Sequence, residues 1–345
     1  MIEYAYQLID AGNLDVAYGW LGGVTGGKVT ESYRGDYRSS CELDLDGAEV
    51  ALGRAVRVWE VSVADSGEET SRRPIGTFFP DPGDMDLSHG RLTGTVSLYS
   101  AMKRLGTDLR KGDATFPKGA AMVDKFCSMV ASSGGTPHVQ SGFGAGRKFG
   151  SNRLWEHGKS ALSACHDIAD ALTGWVDVDE WGRVTLSPYV VPAKRADSFS
   201  LTSRDVEVSV GMSSPDVVNR VIAHHEVDKR LYGAEAHVAD SHPWAFSKIK
   251  RWETEEASVP TLAENADVQK ELDALVKRRL AELSDVRKTY SATALSEAAP
   301  KPGLVGRFLY QDIEGGVQVN DRVLVSERET DLSGSGMSQL TLEVL

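Results

Sequence analysis

Little in this 345-residue sequence would let it bind a metal through sulfur, cross a bilayer by a helix or hold nucleic acid by charge. It has three cysteines, Cys41, Cys127 and Cys165, far apart and odd in number. No Cys-x-x-C occurs, which argues against a structural zinc site. Two of the three fall on apolar faces of predicted helices, so reduced, buried thiols are expected. No apolar run approaches the roughly 18–20 residues of a membrane span. The opening "MIEYAYQLIDAG" lacks the basic start and apolar core of a secretory signal, so no export leader is expected. Cations are in deficit. With 38 Lys and Arg against 50 Asp and Glu, the formal net charge is −12. That excludes a non-specific nucleic-acid binder, which needs a basic face.

Catalytic signatures are missing as well. There is no Gly-x-Ser-x-Gly. "GWLGGVTGGKVT" (19–30) has the glycines of a P-loop, but Val29 follows Lys28 where Mg²⁺ binding needs Ser or Thr, and no helical stripe follows. Gly26-Gly27 is therefore expected to be a tight turn between antiparallel strands, with no helix starting at Lys28. "GFGAGRKFG" (142–150) has the wrong spacing for a dinucleotide fingerprint and is expected to be a flexible loop, with Arg147 and Lys148 free to touch a partner. His224-His225-Glu226 does not match a zincin, whose two His stand at i and i+4 on a helix; adjacent on a strand, the rings point to opposite faces. Asp177 and Asp179 share a strand face and are expected to be solvated near a turn, although paired acids can perform glycoside chemistry. Asp81, Asp84 and Asp86 lie in a Pro/Gly loop where a calcium site is conceivable. No catalytic, cofactor-binding or metal residue is assigned, and no cofactor is expected.

What is present is a mainly β, α+β chain. Apolar residues make up 41% and charged residues 26%, enough to build cores, and the length allows two or three domains. Residues 1–95 read as strand and turn. "AVRVWEVSVAD" (55–65) is a strand with a switch of face. "RRPIGTFFPDPGD" (72–84) is boxed in by prolines and suits an edge strand or a strand end, and "RLTGTVSLYS" (91–100) is strand-like. Residues 96–196 form an α+β middle region. A first helix (118–132) aligns Met122, Val123, Phe126, Cys127, Met129 and Val130. A glycine-rich loop (136–151) follows. A second helix aligns Ala161, Leu162, Cys165, Ile168, Ala169 and Leu172, with Gly174 as its expected cap. Then comes a hairpin turning at Asp179-Glu180-Trp181-Gly182. Residues 197–345 are β-rich again, with one amphipathic helix at about 265–286 expected to lie on a sheet.

Trp155, the helix 160–172, Gly174-Trp175, the turn at Gly182 and Pro188-Tyr189 together resemble a segment of the hub proteins of phage tails and baseplates. "DVVNRVIAHHE" (216–226) is similar to that family's strand opening a second barrel, "RRPIGTFFPD" to one in the first barrel, and "GVQVNDRVLV…MSQLTLEVL" to its ending. The resemblance implies two tail-tube-like antiparallel β-barrel domains (1–95 and 197–345) with a small α+β middle region. It implies a homotrimer whose six barrels make a pseudo-hexameric ring continuing the tail tube, in a virion assembled in the host cytoplasm. Implied partners are distal tail or tail-tube proteins above, tail fibre, spike or tip proteins below, and the tape-measure protein. DNA would pass through without specific binding. No lytic extension is expected beyond Leu345, and no enzymatic activity. Two alternatives remain open: a cell-wall-degrading hydrolase with its acids in the middle region, and a host-glycan-binding module using Trp175, Trp181 or Trp244.

Overall fold

The computed structural model describes residues 1–51, 53–81, 86–88, 91–109, 114–150, 152–155, 158–202, 206–212, 218–227, 230–242, 244–257, 259, 267–284, 288–310 and 319–345. The fold is mainly β. Its first strands are β1 (Ile2–Asp10), β2 (Ala17–Trp20), β3 (Val24–Ser32), β4 (Ser39–Asp46), β5 (Arg54–Val63), β6 (Glu69–Pro80), β7 (Asp86–Ser88) and β8 (Arg91–Tyr99). The middle of the chain supplies α1 (Ala101–Thr107), β9 (Ala114–Phe116), α2 (Met122–Ser132), β10 (Thr136–Val139), β11 (Arg153–Trp155), α3 (Ala161–Leu172), β12 (Gly174–Val178) and β13 (Arg183–Pro188). The remainder comprises β14 (Phe199–Thr202), β15 (Val206–Met212), β16 (Arg220–Val227), β17 (Arg230–His237), α4 (Phe246–Ile249), β18 (Thr254–Glu256), α5 (Val268–Leu283), β19 (Lys288–Leu295), β20 (Val305–Tyr310), β21 (Val319–Asp331) and β22 (Met337–Val344). Two compact units result: Met1–Ser209 with Tyr290–Leu345, and Val210–Thr289.

One 14-stranded sheet runs in the order β15-β19-β22-β21-β3-β4-β8-β6-β5-β1-β2, with β14, β20 and β7 attached beside this path. The antiparallel pairing of β21 with β3 joins strands nearly 300 residues apart in sequence, Glu327 facing Ser32 and Asp331 facing Lys28. Apolar cores lie on either side of that junction. Val29, Cys41, Leu43, Val56, Val58, Phe78 and Leu98 form one; Tyr290, Phe308, Val323, Val325, Leu340 and Leu342 form the other. Strand β5 explains why its pattern is not a clean alternation. Val56 and Val58 enter the first core while Ala55 enters a separate core with the middle helices, so both faces of the strand are covered.

Several expectations need correction. Gly26-Gly27 is not a turn: it lies inside β3, which runs through it with Thr25 as an extra, bulged residue opposite Leu45 and Asp44. Gly27 has φ +137°, and a Cβ there would sit 2.1 Å from the Glu42 carbonyl oxygen, so the glycine allows close strand approach rather than a reversal. No helix starts at Lys28. The proline-bounded segment is a strand end, β6 stopping at Pro80, but not an edge. Strand β6 pairs with β5 along its length and with β8 at Phe79 and Pro80, and Pro74 is accommodated beside the bulged residue Ile75. Part of the expected 136–151 loop is β10, parallel to β13. The αL cap of α3 is Thr173 (φ 56°), while Gly174 already belongs to β12.

The middle helices otherwise follow their stripes. Phe126, Met129 and Val130 of α2 and Leu162, Cys165, Ile168 and Ala169 of α3 share a core with Val176, Val184 and Leu186 of the hairpin. The hairpin pairs Val178 with Val184 across its turn. Ser160 caps α3, its hydroxyl accepting from the Ser163 amide. In the second unit β16, β17 and β18 form a three-stranded sheet, and Leu272, Val276 and Leu280 of α5 pack on Val221 and Ala223.

Candidate functional site

Strand register builds one extended polar face. Antiparallel partners share a side of the sheet, so the pairings arrange outward residues in rows across β22, β21, β3, β4 and β8. One row reads Gln339, Glu329, Thr30, Ser40 and Tyr99; the next reads Asp331, Lys28, Glu42 and Ser97; beyond it stand Asp44 with Thr95, and Asp46 with Thr93. Glu327 and Thr341 extend the face at its other end. Six carboxylates (Glu42, Asp44, Asp46, Glu327, Glu329 and Asp331) therefore share it with one lysine, Lys28, which pairs with Glu329 at 3.3 Å. The Glu329 carboxylate holds the Lys28 ammonium above its ordinary value. Hydroxyl side chains fill most other places, and Tyr99 is the one bulky ring in these rows. The face spans five strands, roughly 20 Å.

The opposite side is built differently. There charges are paired or clamped. Arg328, 3% exposed, donates from Nε to Glu31 at 2.6 Å and from Nη1 to the Ala299 carbonyl. Glu60, 2% exposed, accepts from Arg73 at 2.6 Å and from the Ser296 hydroxyl. Elsewhere in the first unit, four further arginines stack on a ring while donating to backbone carbonyls. Arg38 lies over Trp175 and donates to Tyr33 and Val176. Arg57 lies over Trp181 and donates to Leu14 and Trp181. Arg104 lies over Phe79 and donates to Ala11 and Gly134. Arg195 lies over Tyr33 and donates to Val190 and Gly303. Each joins segments distant in sequence, and burial lowers the basicity of Arg38, Arg57 and Arg104.

Asp177 and Asp179 are not a solvated pair. Both line a cavity of about 270 Å³ with Glu31, Arg38, Glu180 and Lys301. Burial raises the Asp177 carboxyl above its ordinary value, against the lowering effect of the Val178 amide and Arg38. Asp179 is the turn acid: it accepts from the Trp181 and Arg183 amides and pairs with Arg183 at 2.6 Å. Lys301 pairs with Glu180, and burial lowers its ammonium. The two acids thus have different partners and are not a catalytic pair across an open groove.

The other singled-out residues are dispersed. On β16, His224 faces Gly233 and His225 faces Tyr232; His224 stands 3.5 Å from Glu256. Asp81 pairs with Lys103, Asp84 lies outside the described residues, and Asp86 is described only as part of β7. Among the described residues no group of three His, Cys, Asp or Glu could hold a metal. The 142–150 loop is seated rather than loose. Phe149 is buried against Phe116 and Trp155, its amide donates to Ala120, and a Cβ on Gly144 would meet Val123 at 2.8 Å. Arg147 and Lys148 are exposed. Trp175 stacks with Tyr33 (4.9 Å) and with Tyr189 (5.5 Å), Trp244 is half-buried, and Trp181 is 41% exposed. Cys41 and Cys165 are buried, Cys127 is half-buried, and none of the three forms a disulfide.

No family model matches the sequence, and no curated protein sequence matches it. The fold, by contrast, has relatives over its whole length. A tail protein from Neisseria meningitidis MC58 superposes with a TM-score of 0.63 at 13% identity, covering 99% of this chain and 96% of that one. The 43 kDa tail protein of prophage MuSo2 from Shewanella oneidensis gives 0.61 at 14% identity, covering 99% and 98%. This is the fold of phage tail proteins. A chain of the Francisella PdpA-VgrG complex also carries it, with a TM-score of 0.56 at 11% identity; this chain is covered completely and spans 58% of that one. Among the described residues of this tail-protein fold, no helix is long and apolar enough to cross a membrane.

Proposed function

We propose that this chain is a structural hub protein of a phage tail tip or baseplate. Three copies close into a pseudo-hexameric ring that continues the tail tube, and DNA passes through it during infection without being held. The observation that carries this is the end-to-end match to two tail proteins, which leaves no large part of either chain unaccounted for. In this reading residues 1–95 and 197–345 each supply a tube-like β-barrel domain, and residues 96–196 form the α+β region beside them. Distal tail or tail-tube proteins stack above, fibre, spike or tip proteins attach below, and the tape-measure protein is a further partner. The acidic, hydroxyl-rich sheet face supports it physically: a wall facing DNA should repel phosphate rather than neutralise it. No catalytic role is assigned to the chain. Asp179 is already neutralised by Arg183, which leaves a glycosidase without its second free carboxylate. A glycan platform needs a bare ring face, yet Trp20 carries Arg72, Trp175 stacks on Tyr33 at 4.9 Å and Trp252 stacks on Phe246 at 4.6 Å.

Mass photometry with negative-stain microscopy of purified protein tests this. A trimeric ring with a central channel is expected. A stable monomer that clears peptidoglycan in a gel assay would overturn it.

A further inference from the structure

Arg57 stands apart from the other buried charges. It is 6% exposed, yet no carboxylate pairs with it. Nε donates to the Thr77 hydroxyl at 3.0 Å, and Nη2 donates to the Leu14 and Trp181 carbonyls at 3.2 and 3.3 Å. Nη1 has no acceptor among the described residues. Burying a guanidinium with no carboxylate in hydrogen-bond contact is costly, and burial lowers the basicity of Arg57 although Asp15 and Asp179 act on it in the opposite sense. The same guanidinium lines a cavity of about 440 Å³ with Arg183, His138, Asn13, Asp15 and Trp181. Arg183 gives its Nε to Asp179, so its terminal nitrogens remain to serve the cavity. The indole of Trp181 is 41% exposed.

We propose that this cavity receives a single carboxylate carried beside a flat apolar group, the carboxylate on Arg57 and Arg183 and the flat group against Trp181. Two guanidinia around one opening match the planar, two-oxygen geometry of a carboxylate. The charge balance disfavours a dianion: Asp179 pairs with Arg183, and Asp15 and Asp179 both act on Arg57, so two guanidinia already face two carboxylates and a phosphate dianion would be repelled. Such a carboxylate can come from a free aromatic acid or from the C-terminus of a polypeptide ending in an aromatic residue. The site is independent of ring assembly, because every lining residue lies in one unit of one chain.

Isothermal titration of the full chain tests it, using hippurate, acetyl-Ala-Ala-Phe with a free C-terminus, the amide of each, and inorganic phosphate. At least one acid should bind, with its amide weaker by about tenfold or more, as expected for losing a charge-assisted hydrogen bond. Arg183→Gln, on a half-exposed side chain, should weaken the acid by a similar factor, and Arg57→Lys more. Should Arg57→Lys fail to fold, Arg183→Gln and Trp181→Leu still decide. Binding of hippurate alone identifies the free acid as the source, and tighter binding of the tripeptide identifies a polypeptide terminus. Absence of binding by both acids, amides that bind equally well, phosphate binding as tightly as the acids, or an unchanged affinity in Arg183→Gln would each overturn the assignment.

Discussion

Arg328 and Glu329 are neighbours on β21 and live in different chemistries. Arg328 points inward and holds Glu31 at 2.6 Å with 3% of its side chain exposed. Glu329 points outward and meets Lys28 at 3.3 Å with both partners more than 40% exposed. One residue further along the strand thus separates a charge that organises the interior from a charge that gives the outer face its sign. In low dielectric an unpaired charge is penalised heavily; accordingly the inward Glu31 and Glu60 each hold an arginine, and the buried Asp177 has a raised pKa. In water the penalty is small, so carboxylates can accumulate on the outer face without compensation. The difference teaches that charge is sorted across these strands: Arg57 and Arg328 are buried, one as a carbonyl clamp and one as an ion pair, while Glu42, Asp44 and Glu327 stay exposed on the outer face.

Breaking the inward pair should have the largest effect. Arg328→Met leaves Glu31 without its partner and is expected to cost about 3–5 kcal/mol, whereas Lys28→Met should cost under about 1 kcal/mol; urea midpoints of the two variants make the contrast directly. Gly27→Ala comes next, at about 1–3 kcal/mol, because φ +137° and the Glu42 carbonyl both oppose a Cβ. A loss no greater than that of Gly26→Ala, whose added Cβ would come no nearer than 3.4 Å to the Asp44 carboxylate, would contradict the close-approach explanation.

These positions also show what could be read from sequence. Helices α2 and α3, the hairpin and the strand character of both outer segments were legible, because hydrophobic period and turn residues report local structure. Gly26-Gly27 misled because two glycines signal a reversal locally, while the reason for them is the Glu42 carbonyl on another strand. Asp177 read as solvated because Glu31 and Arg38 from one distant segment and Lys301 from another close around it. The arginine clamps left no signal beyond one: Arg57 sits between valines on a strand covered on both faces, which marks an inward arginine once double burial is suspected. The rows of the acidic face require register, which alternation alone does not give.

A smaller effect concerns pH. Since the folded Asp177 has a raised pKa, the folded state binds its proton more tightly than the unfolded state does. Its contribution favours folding at low pH and is lost as pH rises from the ordinary carboxyl value through the raised one. Asp177→Asn should therefore match or exceed wild-type stability at pH 7 and fall behind relative to it in acid; denaturation midpoints across pH 3–7 would expose the opposite slope. Smallest in stability is charge reversal on the outer face. Glu42→Lys, Asp44→Lys and Glu327→Lys should each change stability by within about 0.5 kcal/mol. Together they should make the protein retain duplex DNA in a salt-dependent way, where wild type shows no retention.

The central claim is that this chain closes into a ring with its acidic sheet face toward the channel. Electron cryomicroscopy of the purified assembly measures it most directly. The account predicts a threefold ring whose lumen is lined by Glu42, Asp44, Glu327 and Glu329. Monomers at micromolar concentration would contradict the ring, and a ring carrying those four carboxylates on its outer surface would contradict the role given to the acidic face.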